Sequence, residues 1–275
     1  MLKEIAEKGF TVLPSSIEKE LVLAARNDFI QLVIQQLERL NVDYLSNQMP
    51  HYYIRMLADI DLSAYFACVG ASESLYSMYS VMVGDKLKNI YQSSGIKIAS
   101  MPIRPALHIV DSHINKLITD RDGYHELPQH QDWSALQSSI DTLVFWIPTQ
   151  DITKDTPGVE LVPGSHLLGH IPTEEHKFGH TIDTDSQFDD SDFIKPKLNF
   201  GEILVFSAFL VHRSESSVKL PDSSRIAISF RASNLQNSEF INRLYHRSYR
   251  TFVSYEHGVS KVSAKEVEES MLPYE

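Results

Sequence analysis

"RIAISFR", residues 225–231, alternates apolar with polar or small side chains along its length. Successive side chains of a β-strand point to opposite faces, so Ile226, Ile228 and Phe230 share one face while Arg225, Ala227 and Ser229 share the other. One face is built for a core, and the other carries an arginine to where the lumen of a barrel would lie. The same texture recurs from about residue 101, in the short runs "ALHIV", "DTLVFWI", "VELVP" and "GEILVFSA" divided by Pro, Gly, Asp and Ser. Short strands broken by turn residues predict an antiparallel sandwich or barrel.

Upstream the period changes. "GFTVLPSS" reads as a short strand ending at Pro14, and Ser15 and Glu18 have the spacing of a helix capping box. Ile17, Leu21, Ala25, Phe29, Val33, Leu37 and Leu40 then recur at helical spacing. Residues 42–100 are helical in pattern and crowded with tyrosines. These features predict one domain over residues 1–275: an N-terminal strand and helical region at 1–100, a β core at 101–235 and a C-terminal extension at 236–275, with a polar tail from 255.

The 275 residues are 43% hydrophobic and 22% charged, enough to bury a sizeable core. A net charge of −11 without any basic run argues against nucleic acid and for a small-molecule or protein partner. The N-terminus lacks the apolar core of a signal peptide, and no stretch of about 18 apolar residues is present to span a membrane. The single cysteine, Cys68, reads as a small buried hydrophobe in a reducing compartment, so a cytoplasmic protein is expected.

Chemistry concentrates at "PQHQDW", residues 128–133. In extended backbone, positions i and i+2 project from one face, so His130 and Asp132 can converge on one ion. His212, closing the apolar run "GEILVFSAFLVH", would complete two imidazoles and a carboxylate, the facial triad of non-haem iron(II). Arg225 follows with a planar fork suited to a carboxylate, so a dicarboxylic cosubstrate could span from metal to arginine. His-x-Asp alone is a weak signal in a chain with 12 histidines and 36 acids. The ordered set carries the reading.

That order resembles the phytanoyl-CoA dioxygenase-like family of iron(II)/2-oxoglutarate-dependent oxygenases. The similar blocks are "EKGFTVLP" (Glu7 to Pro14) before a helix, "HQD", "LVFWIPTQD", "GVELVPGSH" (Gly158 to His166), "GEILVF", "HRS" (His212 to Ser214) and Arg225. The resemblance covers roughly residues 5–30 and 100–235. It implies a mainly β fold with flanking helices, a double-stranded β-helix of the jelly-roll, cupin-like kind. It implies iron(II) on His130, Asp132 and His212, and 2-oxoglutarate held by Arg225 and Ser214, with O2 as oxidant. The implied reaction is hydroxylation of a C–H bond of a small metabolite, with release of succinate and CO2. An aspartate ligand argues against halogenation, because halogenating relatives leave that position for a halide.

Other readings stay open at this stage. Trp146 suits either a wall of the cosubstrate pocket or plain core. His108 or Ser112 on one face of "ALHIVDSH", or Asp111 or His113 on the other, could meet the second carboxylate of the cosubstrate. Pro163 to His166 reads as a structural turn beside the site, and Asp189 to Asp192 as a solvated loop. The pairs His166/His170 and His176/His180 lack a third ligand at recognisable spacing and read as surface histidines. Arg243, Arg247 and Arg250 either attract an anion or are simply solvated. The competing functions are a noncatalytic jelly-roll binding protein and a zinc-dependent hydrolase.

Overall fold

The computed structural model describes residues 1–118, 126–176, 179–183, 185, 187–217 and 220–245. Arg247, Arg250 and the 255–275 tail lie outside these, as do residues 119–125. The chain opens with α1 (Leu2–Lys8) and β1 (Phe10–Leu13). Gly9 joins them at φ 87°, where a Cβ would collide with Leu210 and His166, so only glycine fits.

Helix α2 (Lys19–Arg39) buries Val22, Ala25, Phe29, Ile30, Val33 and Leu37 along one stripe, as its spacing predicts. The capping box does not form. Ser15 takes a left-handed φ of 47°, and the Glu18 side chain makes no cap hydrogen bond. Its carboxylate instead accepts from the Lys86 backbone N–H at 3.2 Å, so a tertiary contact outcompetes the local motif. The helical region resolves into α3 (Pro50–Ile60), α4 (Leu62–Ser72), α5 (Tyr76–Val83) and α6 (Asp85–Ser93). Pro50 starts α3, and Asp61 caps α4 by accepting from Ala64 N–H at 2.9 Å.

The β core holds β2 (Ala99–Ser100), β3 (Ala106–Asp111), β4 (Leu143–Pro148), β8 (Ile203–Ser207) and the long β10 (Ser224–Asn234). With β1 they form an antiparallel six-stranded sheet, ordered β1-β8-β4-β10, with β10 flanked on its free edge by β3 and then β2. A second layer is built from β5 (Val159–Leu161) paired with β9 (His212–Ser214), from the hairpin of β6 (Thr173–His176) and β7 (Gly179–Ile182), and from bridges at His130–His212 and Leu161–Ile194. Short helices α7 (Ile114–Leu117), α8 (Asp132–Leu136) and α9 (Ser238–Asn242) complete the chain. This is the predicted jelly roll with flanking helices.

Both faces of the large sheet are covered. Ile226, Ile228, Phe230 and Ala232 join Phe145, Ile147 and the apolar stripes of α2 to α5 in one core. Each isoleucine or phenylalanine among them contributes about 1.5–3 kcal/mol on burial. The opposite face packs Val144, Trp146, Leu204, Phe206 and Ala227 against Leu161 and Leu210 of the second layer. On that face β10 also carries Arg225, Ser229 and Arg231. Among the described residues no helix is long and apolar enough to cross a membrane.

Candidate metal centre

His130, Asp132 and His212 meet between the two sheet layers. All three are buried, and their ligand atoms lie within 4.8 Å of one another. Two segments far apart in sequence are tied together there. His130 N–H donates to His212 O at 3.0 Å, and His212 N–H donates to His130 O at 3.1 Å. His212 therefore opens β9; it does not close the preceding apolar strand as predicted, because β8 ends at Ser207 and a turn intervenes. Asp132 likewise departs from the expected strand and starts α8, but Gln131 between the two residues is extended (φ −113°, ψ 130°), which keeps both side chains on one side.

The ring nitrogens are assigned by their neighbours. His130 Nδ1 lies 2.8 Å from Pro128 O, and His212 Nδ1 lies 3.0 Å from Leu210 O. A carbonyl only accepts, so each Nδ1 carries a hydrogen and, in the neutral ring, each Nε2 keeps a lone pair. Those lone-pair atoms face Asp132 Oδ1 at 3.5 and 3.9 Å. Backbone-anchored imidazoles are the usual support of a metal-binding histidine. Burial pushes the His212 imidazole down to about 3, so it is neutral at physiological pH. Burial works to raise the Asp132 carboxyl, but the Arg231 guanidinium outweighs it and holds the group well below the usual carboxylate range. The donor set and its protonation fit a divalent metal ion, and among the described residues no other cluster of His, Cys, Asp or Glu does so.

Two residues outside the predicted set hold this geometry. Arg231 donates from Nε to Asp132 Oδ2 at 2.9 Å, with Nη2 also 2.9 Å away, leaving Oδ1 toward the imidazoles. Its place was visible in the alternation that put Arg225 on the inner face. Gln131 points the other way and is 1% exposed: its Nε2 donates to Gly169 O and Phe209 O at 2.8 and 2.6 Å, and its Oε1 accepts from Ile171 N–H at 2.9 Å. On the other side of His130, Gln129 O accepts from Ile182 N–H at 3.0 Å. The β6–β7 hairpin thus stands on both neighbours of His130.

A cavity of about 30 Å³ lies beside the triad, bordered by His108, Trp146, His212, Ser214, Arg225 and Arg231. Arg225 is 1% exposed and forms no ion pair with a described residue; it donates to Pro157 O at 3.2 Å and Gly158 O at 3.4 Å and lies 5.2 Å from the Trp146 ring. Burial lowers its guanidinium to about 10 against the pull of Glu126 and Glu215, which still leaves it charged. A second cavity, of about 670 Å³, reaches the triad at His130, Asp132 and Arg231, with Val69, Ile103, Leu107 and Leu136 in its wall and Glu73 and Arg104 ion-paired at 2.5 Å. Trp146 serves both as core and as cavity wall.

Of the four candidates on "ALHIVDSH", only His108 borders the small cavity. Asp111 is committed to Arg55 at 2.9 Å and to the N–H groups of His113 and Ile114, while His113 is half-buried and paired with Asp59 at 2.7 Å. Ser112 N–H bonds to Ser223 O, away from the triad. Ser165 in the predicted turn holds Val211 N–H at 2.9 Å, just before His212. His166 contacts Ala6 O and His170 contacts Ser134, whereas the side chains of His176 and His180 lie outside the description. The Asp189–Asp192 segment is a capped 3-10 turn whose Asp190 pairs with Arg213 at 2.7 Å. Arg243 is committed to Gln137 O, Ser138 O and Glu239.

The family model described as phytanoyl-CoA dioxygenase (PhyH) matches residues 79–218 of this chain. The chain belongs to the phytanoyl-CoA dioxygenase family. This bears out the resemblance read from the sequence, and with it iron and 2-oxoglutarate as the cofactors of the family. Relatives of this phytanoyl-CoA dioxygenase-family chain include the 1-deoxypentalenic acid 11-beta-hydroxylase of Streptomyces arenae, 30% identical over 125 residues, covering 42% of this chain and 44% of the relative. The protein of the same name from Streptomyces exfoliatus is 28% identical over the same length. The match spans less than half the length of these curated relatives. Similar solved structures are the non-heme monooxygenase ThoJ (TM-score 0.56, 14% identity, 85% of this chain and 76% of that one) and the epimerase SnoN in complex with Fe3+, alpha ketoglutarate and nogalamycin RO (0.55, 13%, 85% and 82%). At such identities the likeness establishes a common fold.

Proposed function

We propose that this chain is an iron(II)- and 2-oxoglutarate-dependent dioxygenase that hydroxylates a C–H bond of a small, mainly apolar metabolite, converting 2-oxoglutarate and O2 to succinate and CO2. The observation that carries this is the convergence of two neutral Nε2 atoms and one carboxylate oxygen on a single buried point. His130, Asp132 and His212 would hold the iron, which supplies the activation of O2 when bound. Three protein donors would leave positions on the metal open for a chelating ketoacid and for O2.

Each remaining residue has a physical task. Arg225 is a buried cation that forms no direct ion pair with a described residue, and a carboxylate aimed at it gains a charge-assisted, potentially bidentate contact. Ser214 and Trp146 share that cavity and would complete the distal carboxylate pocket. His108 offers a neutral imidazole at its other end. The larger cavity would hold substrate against the triad, its aliphatic wall excluding water and orienting one C–H bond. The curated relatives, named for hydroxylating 1-deoxypentalenic acid, support an apolar substrate of modest size. The helices and the sheet share one core, which supports a single oxygenase domain, and the cytoplasm, where iron stays ferrous, is the compartment the reading calls for.

Anaerobic titration with ferrous iron and 2-oxoglutarate tests it. A weak visible charge-transfer band should appear in the native protein and vanish in Asp132→Ala. If no band forms, a noncatalytic binding protein or a zinc-dependent hydrolase explains the site better. A metabolite screen read by succinate release then identifies the substrate.

A further inference from the structure

The metal ligand Asp132 is connected to His108 by a continuous run of hydrogen bonds. Arg231 bonds to Asp132 Oδ2 through Nε at 2.9 Å and to Ser229 Oγ through Nη1 at 2.9 Å. Ser229 Oγ in turn lies 2.7 Å from His108 Nε2. Ser229 is 1% exposed, and its hydroxyl has no other partner among the described residues.

The direction of each bond follows from what the groups can do. A guanidinium only donates, so Ser229 Oγ accepts from Arg231. The hydroxyl hydrogen then has one available acceptor, His108 Nε2. The opposite arrangement, with Nε2–H donating to Ser229, would leave a buried O–H without an acceptor, which native structures avoid. His108 Nε2 must therefore be bare, and in a neutral ring the hydrogen sits on Nδ1. Neutrality is secured by burial and by the nearby charges of Arg231 and Arg225, which hold this imidazole well below its ordinary range.

We propose that Ser229 is a positioning residue and Arg231 its anchor: together they fix His108 as the Nδ1–H tautomer, so that this ring meets an anionic cosubstrate as a hydrogen-bond donor. The last step rests on the oxygenase reading, whereas the tautomer does not. Because Arg231 is held by the carboxylate that faces the metal site, the same relay gives His108 a fixed orientation relative to the triad. A Nε2–H tautomer would offer an acceptor lone pair on Nδ1, which repels a carboxylate.

The test uses the full chain, 15N-labelled and metal-free. Two-bond proton–nitrogen correlation spectra distinguish the tautomers, with the His108 signal assigned by its loss in His108→Gln. Wild-type protein should show Nδ1–H; finding Nε2–H overturns the proposal without any variant. Ser229→Ala should convert His108 to a mixture or to Nε2–H, Ser229→Thr should keep Nδ1–H, and Arg231→Met should also give a mixture if it folds. In turnover assays Ser229→Ala should raise KM for 2-oxoglutarate about tenfold, the loss of one hydrogen bond, with kcat within about twofold, and Ser229→Thr should restore it. Unchanged tautomer and unchanged KM in Ser229→Ala overturn the relay. The expected tautomers in a wild-type protein that never binds 2-oxoglutarate would uphold the relay and sink the oxygenase reading instead.

Discussion

The two faces of β10 are made from alternate residues of one strand, yet they obey different rules. Ile226, Ile228, Phe230 and Ala232 face the helices, are at most 2% exposed, and contribute through area and fit alone. Arg225, Ser229 and Arg231 face the second layer, are buried almost as deeply, and contribute through charge and hydrogen-bond direction. The first face tolerates exchange of one aliphatic group for another, since volume is what it conserves. The second tolerates little, because every buried polar atom needs a partner. Stability and chemistry are thus segregated by a period of two along the same backbone.

Substitutions should separate the two faces in order of effect. Arg225→Ala should weaken 2-oxoglutarate affinity by about two to four orders of magnitude, corresponding to ~3–5 kcal/mol for one partner of a buried ion pair. Isothermal titration on the iron-loaded anaerobic protein measures this, and unaltered affinity would remove Arg225 from the pocket. Arg231→Met should destabilise the metal-free fold by about 3–5 kcal/mol in urea unfolding, because Asp132 is left buried without its cation, and a divalent metal should restore part of the loss. On the helix face, Phe230→Ala, which removes a ring stacked on Phe145 at 5.1 Å, should cost about 3–5 kcal/mol of stability. The protein that remains folded should bind 2-oxoglutarate normally. Ile228→Val should cost only about 0.5–1.5 kcal/mol and leave metal binding untouched. A large loss of metal affinity in Ile228→Val would mean that the faces are not independent.

Acid should act through the polar side. His212 in the folded protein is pushed down to about 3, and His108 is also well below its ordinary 6.5. Between those values the unfolded chain binds protons that the folded chain refuses. Stability is therefore full above pH 6.5 and falls as pH drops toward 3, by at most about 1.4 kcal/mol per pH unit for each histidine. Urea unfolding of metal-free protein at pH 7.5 and 5.5 should show the loss, and a pH-independent midpoint would contradict neutral buried imidazoles.

Much of this was legible in sequence because it depends on period and order. The alternation of "RIAISFR" announced a two-faced strand, and His130, Asp132, His212 and Arg225 fell into sequence in the order a jelly roll brings together. Arg231 lay on the same alternating face but could not be read, since its role depends on where Asp132 sits across the fold. Gln131 was hidden for a similar reason: it is the unnamed middle residue of His-x-Asp, and its three partners lie in remote loops. The Ser15–Glu18 capping box failed because Glu18 has a better partner on α6 than in its own turn. The choice among His108, Asp111, Ser112 and His113 needed the Arg55–Asp111 ion pair, which no local pattern reveals.

The hairpin that stands on Gln129 and Gln131 is, in consequence, a replaceable part. Its feet, Ile171 and Ile182, are fastened to the two neighbours of His130, so its length is decoupled from where the imidazole points. Doubling such a loop adds only about 0.6 kcal/mol of closure entropy. Thr181 near its base touches the larger cavity. Grafting a longer or shorter ribbon between Ile171 and Ile182 should therefore retune what enters that cavity while His130, Asp132 and His212 stay where they are.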